Sequence, residues 1–114
     1  MLRLEKSKET QFDILTLLGE VDASNSVILD KAIQELVESG AKHILVDGQG
    51  LEYISSAGLG VFMSYLEDFN DQGIWMGIFG LPPRVYEVFK ILGLDQLIPI
   101  FEDKSAAIGS LNEA

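Results

Sequence analysis

Five short runs along the chain are predicted to form β-strands. They are residues 2–6, 12–18, 43–47, 74–79 and 98–101. The third run, His43–Asp47 (His-Ile-Leu-Val-Asp), is short and apolar, as expected for a buried central strand. The last run contains Pro99, which has no N–H for a ladder hydrogen bond and therefore predicts a weak strand at an edge. The polar residues 7–10 between the first two runs suit a hairpin turn.

Three segments between these runs repeat apolar residues at the spacing of a helix with one buried face. Their inner positions are Leu29, Ala32, Ile33, Leu36 and Val37 in the first, Leu59, Phe62, Met63, Leu66 and Phe69 in the second, and Val85, Val88, Phe89 and Leu92 in the third. Asp22 or Ser24 can cap the first helix, because their side-chain oxygens accept bonds from free N–H groups. Pro82 or Pro83 can begin the third helix, where a missing N–H costs nothing.

The ends of these helices and the order of the elements indicate the fold class. Glycines fit just past the three helices, at Gly40, Gly73 and Gly93, and residues 105–111 predict a short terminal helix. The order is then ββαβαβα(β)α, which predicts an α/β fold with right-handed crossovers. We expect a mixed, mostly parallel sheet of four to five strands with about four helices. The 114 residues suit a single domain.

Composition and charge exclude several classes of function. The chain carries 18 acidic and 8 basic side chains, a net charge of −10, so it repels phosphate backbones and we expect no nucleic-acid partner. We expect no membrane insertion, because no apolar run approaches the length of about 18 residues that a membrane span requires. We also expect no signal peptide. No cysteine is present, which excludes disulfides and thiolate metal sites and is compatible with a cytoplasmic protein. A hydrophobic content of 47% argues against disorder.

The segment Tyr53–Gly60 places two serines and two glycines where a strand-to-loop segment meets a helix. Glycine in the first turns of a helix costs up to about 1 kcal/mol relative to alanine. One interpretation is a serine cap with glycines that let the helix pack tightly on the sheet. The other starts from the free N–H groups and positive dipole end of the helix, which favour an anion. A serine there can carry a phosphoryl group that changes the surface without unfolding the helix.

Catalytic motifs are incomplete. The only histidine, His43, is expected to begin a strand, which leaves a nucleophilic serine without a base. Ile54 stands two residues before Ser56, where a nucleophile elbow requires glycine. The dinucleotide and phosphate-loop motifs fail as well, since no third glycine and no Gly-Lys-Ser follow Gly60. We therefore predict no enzyme activity, no catalytic residue, no metal site and no cofactor.

A second candidate surface is Gly19-Glu20-Val21-Asp22, at the end of the second strand. Asp22 could act only as a helix cap. Loops that follow parallel strands gather at one edge of a sheet, however, so this segment and Ser55-Ser56 would lie side by side. Together they would form an acidic, hydroxyl-bearing face. Three flanking apolar residues are expected in the core: Ile91, Leu92 and Leu94.

Several blocks of sequence resemble the STAS family, the domains of sulfate transporters and anti-sigma-factor antagonists. They are Leu18–Asp22 (Leu-Gly-Glu-Val-Asp), Ile44–Asp47 (Ile-Leu-Val-Asp) and Leu51–Val61 (Leu-Glu-Tyr-Ile-Ser-Ser-Ala-Gly-Leu-Gly-Val). Leu81–Val85 and Phe89–Leu94 look like that family's third helix region. The resemblance covers nearly the whole chain and implies a single STAS domain over residues 1–114.

The resemblance also implies a function. The family's small free-standing members are bacterial anti-sigma-factor antagonists, in which a serine at the start of the second helix is phosphorylated by an anti-sigma factor that is also an ATP-dependent kinase. The unphosphorylated form binds that kinase and frees the sigma factor, and a serine phosphatase restores it. By similarity the phosphoacceptor is Ser56, with Ser55 as the second candidate, although Ser55 and Ala57 stand where many members carry Asp and a second hydroxyl. The implied partner-binding residues are Glu20, Asp22, Ser24, Ser55, Ser56, Ala57, Gly58 and Leu59.

Two other hypotheses stay open at this point. The chain could be an unswitched interaction module on the same fold, such as a scaffold subunit of a stress-signalling complex or a soluble partner of a membrane transporter. Ser56 would then be only a helix cap. It could also be an enzyme or a receptor for a small ligand, with nucleotide binding at the sheet edge.

Overall fold

A computed structural model of the chain describes residues 1–112. Within residues 1–112, five strands and four α-helices alternate, and a short 3₁₀ helix precedes the last strand. In chain order they are β1 (Leu2–Glu9), β2 (Phe12–Val21), α1 (Ser26–Glu38), β3 (His43–Ile54), α2 (Ser56–Gln72), β4 (Trp75–Phe79), α3 (Pro83–Ile91), the 3₁₀ helix (Leu94–Gln96), β5 (Ile100–Phe101) and α4 (Lys104–Asn112). The predicted order of elements is confirmed.

The strands form one mixed sheet in the order β1-β2-β3-β4-β5. β1 and β2 pair antiparallel as a hairpin, and the other neighbours pair parallel. The prediction of a mostly parallel sheet is therefore confirmed, with β3 at its centre and β5 at an edge. Because β2 and β3 are parallel neighbours, their carboxyl ends meet, with Val21 opposite Ile54.

Helices cover both faces of the sheet, and the side-chain alternation of the strands explains why. In β2, Leu15 and Leu17 belong to the larger buried cluster, which also holds the inner faces of α1, α2 and α3. Phe12 and Ile14 belong to a smaller cluster, where Ala107 of α4 packs. A strand that buries side chains on both faces produces the continuous apolar run seen in the sequence.

The hairpin turn is one correction to the sequence-based boundaries. Residues 7–10 were expected to form the turn, but β1 continues to Glu9 and the turn falls at Thr10-Gln11, where Thr10 has φ of 51°. The polar residues remain in register with β2 because β1 is an exposed edge strand. Two ion pairs lie near this turn of the hairpin. Lys8 Nζ is 3.8 Å from Asp13 Oδ1, and Lys104 Nζ is 2.9 Å from Glu9 Oε2.

Three apolar residues assigned to the core are exposed. Met63 on α2 is 51% exposed, and Ile91 and Leu92 are 73% and 56% exposed, whereas Leu94 is buried as expected. Ile91 is the last residue of the nine-residue helix α3 and Leu92 is its C-cap, beyond the inner face formed by Val85 and Phe89. None of the helices within residues 1–112 combines the length and apolarity needed to cross a membrane.

Candidate functional site

The two candidate segments are neighbours in the structure. The backbone N–H of Ser55 donates to the carbonyl oxygen of Val21 at 2.9 Å, which ties the end of β3 to the end of β2. The β2–α1 loop and the amino end of α2 therefore share one edge of the sheet, as expected for loops after parallel strands. We call this edge, with residues 20–25 and 53–57, the loop face.

The two serines differ in their surroundings: Ser55 caps the helix, and Ser56 is exposed. Ser55 is the N-cap of α2, with extended backbone (φ −88°, ψ 173°), and its Oγ accepts a hydrogen bond from the N–H of Gly58 at 3.4 Å. Its carbonyl oxygen accepts from the N–H of Leu59 at 3.0 Å. Ser56 is the first helical residue and is exposed to solvent. A Ser N-cap was one of the two interpretations of this segment, and the structure assigns the cap to Ser55. The expectation that Ser56 is the cap, part of the interaction-module hypothesis, is therefore wrong.

The two glycines of this segment have different surroundings. A Cβ on Gly58 would lie 2.6 Å from Cγ1 of Val21 and 2.7 Å from Cγ1 of Ile54, closer than real Cβ contacts allow. Gly58 therefore lets α2 approach the strand ends, as the packing interpretation predicted. A Cβ on Gly60 would meet no atom within 4 Å. Packing does not explain Gly60, which leaves bare helix surface one turn after Ser56.

The β2–α1 loop is ordered by side-chain hydrogen bonds that the sequence analysis did not assign. Asp22 Oδ1 accepts from the backbone N–H of Ser24 at 2.9 Å and from its hydroxyl at 2.6 Å. The N-cap of α1 is Asn25, and its side chain makes no cap bond. That side chain is buried and turns back to the strand, where Oδ1 accepts from the N–H of Asp22 at 2.9 Å and Nδ2 donates to the carbonyl of Glu20 at 3.0 Å.

The expectation that Asp22 or Ser24 caps α1 is therefore wrong. Asp22 lies three residues before the N-cap Asn25, and its carboxylate accepts hydrogen bonds from Ser24 within an Asx-type turn. The cluster Asp22-Ala23-Ser24-Asn25-Ser26 does signal a turn in the sequence. Which of its polar side chains is buried depends on the end of β2, so Asn25 could not be singled out from the sequence.

The hydroxyl and N–H of Ser24 lower the pKa of the Asp22 carboxyl below its usual 3.8. A depressed carboxyl pKa contributes stability above the ordinary pKa, and that contribution is lost as the pH falls through the folded-state value. We expect Ser24→Ala to raise the pKa of Asp22 toward 3.8, because the strongest donor is removed. A carboxyl-carbon NMR titration of Asp22 would measure it. Ser64→Ala, which removes an exposed serine hydroxyl outside the loop face, is the control variant and should leave the Asp22 titration unchanged. An unchanged Asp22 titration in Ser24→Ala would contradict the assignment.

The predicted partner-binding residues differ in accessibility. Glu20, Ser24 and Ser56 are exposed, and Asp22, Ser55 and Ala57 are half-buried. Gly58 and Leu59 lie in the first turn of α2 on its buried side, so they position the helix. Two large apolar side chains are exposed here: Tyr53, which belongs to the loop face, is 51% exposed, and Val27, two residues after the loop-face segment 20–25, is 68% exposed.

The side chains of the loop face that carry a formal charge, Glu20 and Asp22, are both negative. No Lys or Arg occurs in residues 9–30 or in residues 43–83, the two stretches that contain it. The amino terminus of Met1 is the positive group at this edge, 3.7 Å from Glu20 Oε1. No Lys or Arg from these two stretches could pair with a phosphate on Ser56. The partial positive charge at the amino end of α2 would stabilise it instead.

His43 begins β3, as predicted, away from the loop face. Its ring lies edge-on to Phe12, with 6.0 Å between ring centroids. It is half-buried at the opposite end of the strand from Ser55.

Comparison with known families gives the class of the domain. The model of the STAS domain matches residues 3–107 of the chain. The chain belongs to the STAS family. Among curated relatives, the anti-sigma-B factor antagonist of Staphylococcus aureus (strain NCTC 8325 / PS 47) is 27% identical over 101 residues, which cover 89% of this chain and 94% of that protein.

Solved structures share the STAS fold with this chain. An anti-sigma factor antagonist from Mycobacterium paratuberculosis superposes with a TM-score of 0.89 at 18% identity, covering 98% of this chain and 95% of that one. The Bacillus cell fate determinant SpoIIAA in its phosphorylated form has a TM-score of 0.70 at 19% identity, with 97% and 99% covered. The expected STAS-like fold, with a mostly parallel mixed sheet of four to five strands and about four helices, is thus confirmed, and residues 1–112 contain five strands and four α-helices.

Proposed function

We propose that this STAS protein is an anti-sigma-factor antagonist that works as a phosphorylation-controlled partner switch. Unphosphorylated, it binds an anti-sigma factor with serine-kinase activity and so releases a sigma factor. Phosphorylation of Ser56 abolishes that binding, and a serine phosphatase reverses it. Since sigma factors act on the transcription machinery, we place this function in the cytoplasm.

The observation that carries the proposal is the position of Ser56. Its hydroxyl is exposed at the first residue of a 17-residue helix, beside an ordered acidic loop. Ser55 is engaged as the cap, so a kinase that reached Ser56 would not have to break a helix-capping bond. The names of the Staphylococcus aureus relative and of phosphorylated SpoIIAA support the same function.

Phosphorylation of Ser56 should change the affinity for the partner and not the stability of the fold. A phosphoryl group carries about −1.5 to −2 charges at neutral pH and is stabilised by the amino end of a helix. The helix should therefore survive the modification. Against a docked protein, the same dianion must be desolvated without a basic residue from the stretches 9–30 and 43–83 to pair with it. Binding is lost while the fold is kept.

The modification itself can be tested directly. We expect the purified chain, incubated with ATP and the anti-sigma kinase of its own organism, to gain one phosphoryl group on Ser56. Tandem mass spectrometry of the Ser55–Ser56 peptide would locate it. Ser56→Ala should abolish incorporation, whereas Ser55→Ala, the matched control one residue away, should keep it. Phosphate on Ser55 alone would contradict the assignment. Phosphate-affinity electrophoresis that shows no phosphorylated form under any growth condition would favour the unswitched interaction module.

A further inference from the structure

A second surface feature lies at the far end of α2 from Ser56. The carboxyl-terminal halves of α1 and α2 enclose a groove of about 200 Å³. Its apolar lining includes Val37, Tyr65 and Phe69, and the two aromatic ring centroids are 5.2 Å apart. Phe69 follows Ser56 by 13 residues, so it lies about 20 Å further along the helix. The groove is outside the loop face and plays no part in the proposed switch.

The rim of this groove is negatively charged. Glu38 of α1 and Asp68 of α2, both exposed, line it from opposite sides. Neither helix has a basic residue in its last turn, whereas α3 carries Lys90 there. The carboxyl end of a helix carries about half a negative charge, which is normally compensated by a cation. The carboxylates of Glu38 and Asp68 and the carboxyl ends of α1 and α2 therefore all contribute a negative electrostatic potential to this groove.

The aromatic base of the groove is held in place. The Tyr65 hydroxyl donates to the side chain of Asp30 and lies 3.1 Å from its backbone carbonyl oxygen, which joins α2 to α1. Burial, together with this hydrogen bond and the Asp30 charge, raises the pKa of Tyr65, so the phenol stays neutral and remains a donor. The Tyr65–Asp30 bond therefore fixes the ring beside Phe69.

We propose that this groove binds an arginine side chain presented by a protein partner. The guanidinium lies between the carboxylates of Glu38 and Asp68, and its stem packs on Val37 and on Tyr65, which is half-buried, whereas Phe69 is 4% exposed and supports the Tyr65 ring from below. Charge complementarity selects a cation, and the Tyr65 ring selects arginine, because a planar guanidinium stacks on an aromatic face while it bonds carboxylates. Gln34 and Gln72 also line the groove, but no group of three or more His, Asp or Glu side chains within residues 1–112 is placed to hold a metal ion, so the six to eight oxygen ligands of a calcium ion are not assembled there.

The test uses the full chain and a defined probe. In ¹⁵N NMR titrations with acetyl-Gly-Arg-Gly-amide, we expect saturable shifts confined to the amides around residues 37–38 and 65–72. The same peptide with neutral citrulline in place of arginine should produce none. Glu38→Gln with Asp68→Asn should weaken the arginine peptide about tenfold, the ratio expected for losing two exposed ion pairs.

A matched control separates this site from general attraction to an acidic chain. Glu87→Gln with Glu102→Gln removes the same charge from exposed positions outside the groove and should leave the affinity unchanged. The proposal is overturned if citrulline causes the same shifts, if no saturable shifts occur, or if both double variants lose affinity equally. Ser56→Glu should not alter the titration, so its result is independent of the proposed switch.

Discussion

Ser56→Glu is expected to weaken binding of the anti-sigma partner at least about a hundredfold, whereas Ser56→Ala should bind as the unphosphorylated chain does. A loss of about 3 kcal/mol is enough for that ratio, and burying one unpaired charge in an interface costs several kcal/mol. Titration calorimetry of the three forms with the purified partner would measure it. The expected order of affinity is wild type equal to Ser56→Ala, and both far above Ser56→Glu.

The melting temperature of Ser56→Glu distinguishes a loss of partner binding from a loss of folding. A carboxylate in the first turn of a helix interacts favourably with the helix dipole, so Ser56→Glu should melt at or slightly above the wild-type temperature. Ser105→Glu is the matched control, since Ser105 is also an exposed serine in the first turn of a helix, but in α4 on the other face of the sheet. It should bind the partner normally. Equal affinity of wild type, Ser56→Ala and Ser56→Glu would refute the switch.

The sequence was sufficient to predict that the two segments of the loop face are neighbours, because their proximity follows from topology. A strand, a serine pair and a helical stripe were each visible in the sequence, and parallel pairing then brings the ends of β2 and β3 together. The burial of Asn25 was not visible. Its partners are the carbonyl of Glu20 and the N–H of Asp22, whose directions are set only when β2 ends at Val21.

The length of β3 was underestimated for a similar reason. Gly48-Gln49-Gly50 interrupts the apolar run, and glycine is depleted in strands, so the sequence predicts an end at Asp47. The strand nevertheless continues to Ile54. A Cβ on Gly48 would lie 2.5 Å from Cδ2 of Leu81, and one on Gly50 would lie 2.5 Å from Cδ2 of Leu18. These glycines make room for side chains from other elements, a tertiary requirement that local propensity does not encode.

Gly58→Val should lower the free energy of unfolding by about 2 to 3 kcal/mol, the cost typical of overpacking a filled core. The new Cβ would meet Cγ1 of Val21 and Cγ1 of Ile54, and these two side chains are 0% and 3% exposed. They cannot turn toward solvent, so the first turn of α2 must move away from the strand ends. Urea denaturation monitored by circular dichroism would measure the loss.

The matched control is Gly60→Val on the same helix. A Cβ there meets no atom within 4 Å, and valine is a slightly better helix former than glycine, so stability should stay within about 0.5 kcal/mol of wild type. Because Ser55 and Ser56 begin the turn that Gly58→Val displaces, that variant should also lose phosphorylation of Ser56 under conditions where it remains folded. If the two valine variants were equally stable, close packing at Gly58 would not be what fixes the amino end of α2.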